Sequence, residues 1–238
     1  MTEKDLPLFA ALDLDTLKEA RQTVDRLAGL VRGIKIGPRL YSLGGRPFID
    51  EIVDRGFDLF LDLKLHDIPN TVRLAIEALA DAGLWCVTVH GAGGRRMLEE
   101  AVAARNARGS SMKILAITVL TSFSEESWSE VAPGTSIEAA IRARAKLCDD
   151  TGLDGLVCSP LDLPIVKSCT SPRLLKVVPG VRLAAAGDDQ TRVATPKDAI
   201  IAGADYLVMG RPIYKAKDLE GAMDAIKQSI QEGLSCRV

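Results

Sequence analysis

The chain has 238 residues, which fits one large domain, since a (β/α)8 barrel alone takes about 250 residues. Hydrophobic residues make up 47% of the composition and aromatic residues only 4%, which favours aliphatic side chains in buried parallel strands and covering helices. The formal net charge of −2 argues against a nucleic-acid or membrane-surface partner but leaves room for a small anionic ligand.

Neither the N-terminal sequence nor the cysteines indicate export. The N-terminal sequence MTEKDLPLFAALD lacks the apolar core of a signal peptide, and no stretch approaches the ~20 apolar residues of a membrane span. The five cysteines are scattered without a CxxC pair, which predicts neither a disulfide framework nor a zinc site. We therefore expect a reducing, cytoplasmic location.

Short apolar runs recur along the chain, and each is followed by a stretch with helical periodicity. Continuous apolar runs of this length are typical of strands in a parallel sheet. The predicted strands are LFAALD (8–13), GIKIG (33–37), DLFLDLK (58–64), WCVTVH (85–90), KILAITVL (113–120), GLVCS (155–159), LLKVVPG (174–180) and YLVMG (206–210).

Amphipathic segments separate these runs, for example 16–30, 71–83, 95–107 and 136–152. Alternating strands and helices predict βαβ units. Eight such units close a barrel, whereas open doubly wound sheets more often have about five or six strands. Because no linker or low-complexity tract divides the chain, we predict a single-domain (β/α)8 (TIM) barrel that spans residues 1–238.

Two long stretches, 121–135 and 181–196, have no clear periodicity. Both follow predicted strands, so both are expected at the C-terminal mouth of the barrel, where such folds place their sites. Loops of this length are commonly binding loops or lids. Plain surface loops are the alternative.

Charged residues gather at the C-terminal ends of the first three predicted strands, at Asp13, Lys35, Asp62, Lys64 and Asp67. Because side chains alternate along a strand, Asp62 and Lys64 are expected to share one face. A buried charge is costly unless it is paired, so these groups should form a network. A structural ion pair, or for Asp67 a helix cap, would explain any one of them alone.

The run DLFLDLKLHDIPNTV (58–72) resembles the signature of orotidine 5′-monophosphate decarboxylases, with an Asp-x-Lys-x-x-Asp core. That core alone would be weak, since a wider superfamily of barrel lyases and synthases shares it. An ordered set of further motifs makes the resemblance specific over nearly the whole chain. These motifs are LFAALD, GIKIG, VTVH, VLTS (119–122), VCSP (157–160), VPGVR (178–182), DDQTRVATP (188–196) and VMGRP (208–212).

The resemblance implies a cofactor-free carboxy-lyase that converts orotidine 5′-monophosphate to uridine 5′-monophosphate and carbon dioxide, and that works as a homodimer. Lys64 resembles the lysine that faces the scissile carboxylate and protonates the product carbon. Asp62 resembles the carboxylate set close to the substrate's own carboxylate. Lys35 resembles the second lysine, which also contacts the ribose. Asp67 resembles an aspartate that reaches into the partner's site.

The resemblance also implies a set of substrate-binding residues. Asp13 matches a ribose ligand, Thr71 a similar contact across the dimer, and Thr121 the side chain that reads the pyrimidine. The phosphate ligands that it implies are Arg182, Gln190, Gly210 and Arg211. Gln190 lies in the long loop after the seventh strand, which suggests a lid, although Leu183 stands where the family's loop often begins with Pro.

Three readings of the function remain distinguishable. No flavin, pyridoxal or metal motif offers an electron sink, and only His66 and His90 supply imidazoles. We interpret both histidines as packed or capping residues, Trp85 as a core residue, and Trp128 as part of a lid or interface.

One rival function is that of a Mg²⁺-dependent lyase acting on a sugar-acid phosphate, which would carry a Glu where this chain has Lys35. The other is a barrel that binds nucleotides without catalysis.

Overall fold

A computed structural model describes residues 3–183 and 194–237. Within this part of the chain eight parallel strands, β1 to β8, follow one another in sequence order and close into a barrel. The predicted (β/α)8 fold is therefore confirmed. The strands are β1 (Leu8–Leu12), β2 (Gly33–Ile36), β3 (Asp58–Leu65), β4 (Cys86–His90), β5 (Lys113–Ile117), β6 (Gly155–Val157), β7 (Leu175–Pro179) and β8 (Tyr206–Met209).

Helices connect the strands and cover the outside of the barrel. In the described residues they are α1 (Leu17–Leu27), α2 (Pro38–Asp54), α3 (Pro69–Leu79), α4 (Gly94–Ala107), α5 (Glu125–Val131), α6 (Ile137–Asp150), α7 (Leu163–Cys169), α8 (Pro196–Ala202), α9 (Arg211–Tyr214) and α10 (Leu219–Cys236). In longer helices such as α1, α3, α4 and α6 the buried residues recur at helical spacing, so each of these helices turns one apolar stripe inward.

The inside of the barrel is a packed core of aromatic and aliphatic side chains rather than a pore. The Phe9 ring packs at a tilt of 42° against Trp85, with 4.5 Å between ring centroids, and meets Phe60 edge-on at 5.9 Å. Trp85 is buried, as predicted. Gly33 makes room for this cluster, because a Cβ there would lie 2.5 Å from the Phe9 ring and 2.2 Å from the Asp58 carbonyl oxygen. The core closes the barrel beneath its C-terminal mouth.

Two local predictions differ from the structure. Helix α3 begins at Pro69 instead of residue 71, because proline suits the first turn of a helix. The segment 121–135 is not wholly irregular, since it contains α5, which Ser124 caps by accepting a hydrogen bond from the Ser127 amide at 3.2 Å. Trp128 on α5 is buried and donates to the Thr135 carbonyl at 2.7 Å, so it anchors this segment to its own chain.

Over the described ranges, none of the helices combines the length and apolarity needed to cross a bilayer.

Candidate active site

Three charged side chains meet at the mouth of the barrel. The Asp62 carboxylate lies 2.9 Å from the Lys35 ammonium and 3.0 Å from the Lys64 ammonium, and both lysines contact the same oxygen, Oδ2. Lys35 comes from β2, and the other two come from β3. The predicted network therefore forms around Asp62, and it holds two cations and one anion.

The main chain of β3 is irregular where it carries this pair. Leu61 pairs with Val87 of β4 and Leu65 pairs with Val89, so residues 62–64 all lie opposite residue 88 alone. Within the described residues, Lys64 is the only residue other than glycine with a positive φ, +53°. Asp62 and Lys64 do share one face as predicted, and the structure shows that it is the interior face, but the strand between them departs from simple alternation.

Thr88 of β4 fills the space opposite this irregularity. Its hydroxyl accepts a hydrogen bond from the Lys64 main-chain amide at 2.9 Å and donates one to Asp62 Oδ1 at 2.9 Å. The side chain is fully buried. Thr88 lies in the VTVH motif, but no role was predicted for it. The available signal was a hydroxyl residue in the middle of a buried apolar strand.

Asp62 remains ionised despite its burial. Burial raises the pKa of this carboxyl, but the ammonium groups of Lys35 and Lys64 outweigh that effect and leave the pKa of Asp62 below its ordinary value of 3.8. The Asp62 carboxylate is consequently charged at neutral pH.

A cavity of about 180 Å³ opens above the array. Lys35, Asp62 and Lys64 form its charged side, and Thr121, predicted to read a pyrimidine, also lines it. The remaining walls are mainly apolar and come from Phe60, Ile117, Val119, Leu120, Val157, Cys158, Pro179 and Val208. An apolar slot with a few charges at one end suits a flat ring that carries a reacting polar substituent.

A second cavity of about 210 Å³ adjoins the first, and the two share Lys35, Pro179 and Val208. Three of the four predicted phosphate ligands line the second cavity, namely Arg182, Gly210 and Arg211. Arg182 follows β7 and the other two follow β8, which is where barrels commonly bind phosphate. The fourth, Gln190, lies outside the described residues, as does most of the predicted lid.

The remaining predicted ligands, Asp13, Asp67 and Thr71, line neither of these two cavities. Asp13 directly follows β1 and is exposed, and its main-chain carbonyl accepts a hydrogen bond from the Tyr214 hydroxyl at 3.5 Å. Asp67 and Thr71 are exposed at the start of α3. The Asp67 carboxylate accepts from the amide of the next residue, Ile68, at 2.6 Å. The N-cap of α3 is Ile68 and no side chain caps this helix, so the structure does not form the helix cap weighed as the alternative role of Asp67.

The two histidines stack on each other beside the mouth, with ring centroids 5.0 Å apart and planes 17° from parallel. His90 Nδ1 accepts a hydrogen bond from the Ala92 amide at 3.1 Å. His90 thereby caps the short 3-10 helix Gly91–Gly93, which confirms the capping role for this residue. Burial, and then the positive charge of Arg144, lower the pKa of His90 to about 4. His90 is therefore neutral at physiological pH.

A parallel barrel with a lysine–aspartate–lysine array beside an apolar slot, and with arginines at the neighbouring strand ends, defines the class of the protein as a (β/α)8-barrel enzyme for a phosphorylated ring substrate. A sequence model of the Orotidine 5′-phosphate decarboxylase / HUMPS family matches residues 6–226. The chain belongs to this family.

Curated relatives cover nearly the whole chain. The orotidine 5′-phosphate decarboxylase of Dichelobacter nodosus is 41% identical over 225 residues, which are 94% of this chain and 98% of the relative. The orotidine 5′-phosphate decarboxylase of Laribacter hongkongensis is 42% identical over 229 residues, covering 94% and 93% of the two chains.

Solved structures agree with this assignment. The orotidine 5′-phosphate decarboxylase of Lactobacillus acidophilus superposes with a TM-score of 0.85 at 34% identity, covering 95% of this chain and 99% of the other. An uncharacterized conserved protein from Geobacillus kaustophilus gives a TM-score of 0.82 at 32% identity, with 94% and 100% covered.

Proposed function

We propose that this chain is a carboxy-lyase that decarboxylates orotidine 5′-monophosphate to uridine 5′-monophosphate in pyrimidine nucleotide biosynthesis. The observation that carries the proposal is the Lys35–Asp62–Lys64 array at the end of an apolar slot, in a chain of this family. Residues 1–238 would form one catalytic domain.

The two adjoining cavities suggest how the substrate lies. The pyrimidine would enter the apolar slot beside Lys64 and Thr121, and the phosphate would reach the second cavity. There the Arg182 and Arg211 guanidiniums and the main chain around Gly210 suit an anion. Lys35 lines both cavities, so it is placed for the ribose between the two ends, and Asp13 follows the neighbouring strand. Binding energy from the phosphate would hold the reacting end in place.

The chemistry needs a fixed positive charge. When the bond between the ring carbon and the carboxylate breaks, its electron pair stays on an sp² carbon and does not delocalise into the ring. An ammonium held beside that carbon stabilises the developing charge without reorganisation. Lys64 would supply this charge and then transfer a proton from Nζ to the carbon, and solvent would restore its proton.

Asp62 has two roles in this scheme. Its carboxylate orients Lys64 through an ion pair of 3.0 Å with the ammonium. It would also lie close to the substrate carboxylate. Two such charges about 4 Å apart repel by about 4 kcal/mol at an effective dielectric of 20, and departure of carbon dioxide relieves that repulsion.

The proposed enzyme is a homodimer in which Asp67 and Thr71 complete the partner's site. Support comes from their position, because both side chains are exposed at the start of α3 and neither lines the cavities of its own chain described above. Ile68, with 67% of its surface exposed, and Leu74, with 49%, lie on the same segment. Exposed apolar side chains beside functional polar ones are typical of an interface.

The proposed location is the cytoplasm. All five cysteines are free thiols, which suits a reducing compartment. With a net charge of −2, the proposed ligand is a small nucleotide, and neither nucleic acid nor a membrane surface is proposed as a partner.

The nearest alternative function is that of a Mg²⁺-dependent lyase acting on a sugar-acid phosphate, and the presence of Lys35 is evidence against it. The Lys35 ammonium lies 2.9 Å from Asp62 Oδ2, in the position where that class would place a Glu ligand. A fixed cation there would repel a divalent metal ion. A barrel that binds nucleotides without catalysis is disfavoured by the intact Lys64–Asp62 pair.

The decisive experiment follows the absorbance of the pyrimidine as purified protein acts on orotidine 5′-monophosphate, with and without excess EDTA. We expect equal turnover in both. Loss of activity on chelation would favour the metal-dependent rival, and binding of uridine 5′-monophosphate without any turnover would favour the non-catalytic barrel.

A further inference from the structure

We infer that Thr88 is a positioning residue for the proposed reaction, whose hydroxyl holds the Asp62 carboxylate and the main chain of Lys64 so that the Lys64 ammonium faces the slot. This inference rests on the proposed function, because it concerns the aim of the amine that would meet the reacting carbon. Thr88 itself is not among the side chains that line either cavity.

The Thr88 hydroxyl donates one hydrogen bond and accepts another. A threonine hydroxyl has a single proton, and that proton goes to Asp62 Oδ1 at 2.9 Å. An oxygen lone pair receives the Lys64 amide proton, also at 2.9 Å. Because both lysines contact Oδ2, the Thr88 bond engages the other carboxylate oxygen and fixes the plane of the carboxylate.

The same hydroxyl supports an unusual backbone. Residues with a side chain rarely adopt a positive φ, and they do so where the surrounding structure holds them. At Lys64 the φ is +53°, in the stretch where residues 62–64 face residue 88 alone. Without the hydroxyl, the Lys64 amide would be a buried donor without this partner. Loss of this bond would release the backbone conformation at residues 62–64 that brings the Lys64 amine to 3.0 Å from Asp62 Oδ2.

Two pairs of variants separate the hydroxyl from the packing of the side chain. Threonine and Thr88→Val have nearly the same shape and differ in the oxygen, whereas Thr88→Ser and Thr88→Ala both lack the methyl and differ in the oxygen. Thr118→Val is the matched control. Thr118 is also fully buried and comes just after β5, but its hydroxyl donates only to the Val157 carbonyl, at 3.1 Å.

The measurements are kcat and KM for orotidine 5′-monophosphate and the affinity for uridine 5′-monophosphate, which lacks the carboxylate. We expect Thr88→Val to lower kcat by about 10- to 100-fold, the effect of losing a hydrogen bond to a charged group. Nucleotide affinity should change by less than about 3-fold, since its contacts are elsewhere. Thr88→Ser and Thr118→Val should stay within about 3-fold of the wild type in kcat.

The opposite ranking of the kcat values of Thr88→Val and Thr88→Ser would overturn the inference. If Thr88→Val matches the wild type and Thr88→Ser loses activity, Thr88 acts by packing. Should Thr88→Val fail to fold, the serine and alanine variants decide, because equal kcat values for those two would also refute a role for the hydroxyl. Absence of turnover by the wild-type protein would instead refute the proposed function, so the two failures are distinguishable.

Discussion

Single residues at the mouth take their properties from their neighbours. Asp62 is buried yet ionised because two ammonium groups contact it. His90 is half-buried beside cations and stays neutral. Both cases follow from one balance, in which burial disfavours a charge and an adjacent opposite charge restores it.

Replacing Lys64 should abolish the reaction and spare product binding. We expect Lys64→Ala to lower kcat for orotidine 5′-monophosphate by at least about 1,000-fold, because it removes the charge that faces the reacting carbon. Binding of uridine 5′-monophosphate, measured by calorimetry, should persist. Lys113→Ala is the control, since Lys113 begins β5 at the opposite end of the barrel. Activity of Lys64→Ala equal to that of the wild type would eliminate the mechanism.

His90 should make the protein less stable in acid. Its pKa is about 4 in the folded protein, against about 6.5 in an unfolded chain. Between these values the unfolded state binds more protons, so stability falls as the pH drops from about 6.5 to 4. His90→Asn retains a cap acceptor for Ala92 and removes the titrating group.

Urea unfolding at pH 7 and pH 4.5 measures this effect. The wild type should lose about 1–2 kcal/mol more than His90→Asn between the two pH values, allowing for solvent screening at this half-buried site. Parallel losses in both proteins would contradict the assignment.

Among the elements, β2 shows how one strand serves both the core and the site. Gly33 at its start gives space to Phe9, and Lys35 two residues later joins the charge array. Side chains at these two positions point to the same interior. The strand β2 therefore needs a residue without a side chain at the level of the aromatic core and a charged residue at the mouth.

A methyl group at Gly33 should destabilise the barrel. Gly33→Ala would place its Cβ against the Asp58 carbonyl and the Phe9 ring, and we expect a loss of about 2–3 kcal/mol in the free energy of unfolding. Gly37→Ala, four residues along the same motif, meets nothing within 4 Å and should be nearly neutral. Thermal and urea unfolding measure both, and similar stabilities for the two variants would refute the packing argument.

In the whole molecule, the proposed dimer divides each site between two chains. A mixture of Lys64→Ala and Asp67→Ala proteins should regain activity, because each mixed dimer has one site with both residues intact. Random exchange would restore about a quarter of the wild-type activity, since half of the dimers are mixed and half of their sites are intact.

Lys64→Ala mixed with Asp62→Ala is the matched control. Both changes fall in the array of one chain, so no site is repaired and no recovery is expected. Absence of recovery in the first mixture, once mass spectrometry has shown that the subunits exchange, would count against shared sites.

The sequence by itself determined the order and type of the elements, and it placed the charges of β2 and β3 at strand ends, because hydrophobic periodicity and strand alternation are local properties. The barrel then had to bring Lys35 and Asp62 together. There were two exceptions: α5, which lies in a segment predicted to be irregular, and the start of α3, since capping and packing decide where short helices form and where helices end.

Only the tertiary structure decided the geometry within the site. The offset between β3 and β4, the positive φ of Lys64 and the hydrogen bonds of Thr88 depend on how two strands pair. Burial of Trp128 likewise depends on packing against distant residues, among them Arg144 on α6. Strand register and burial arise from contacts between residues far apart in the chain, and a local sequence pattern does not determine those contacts.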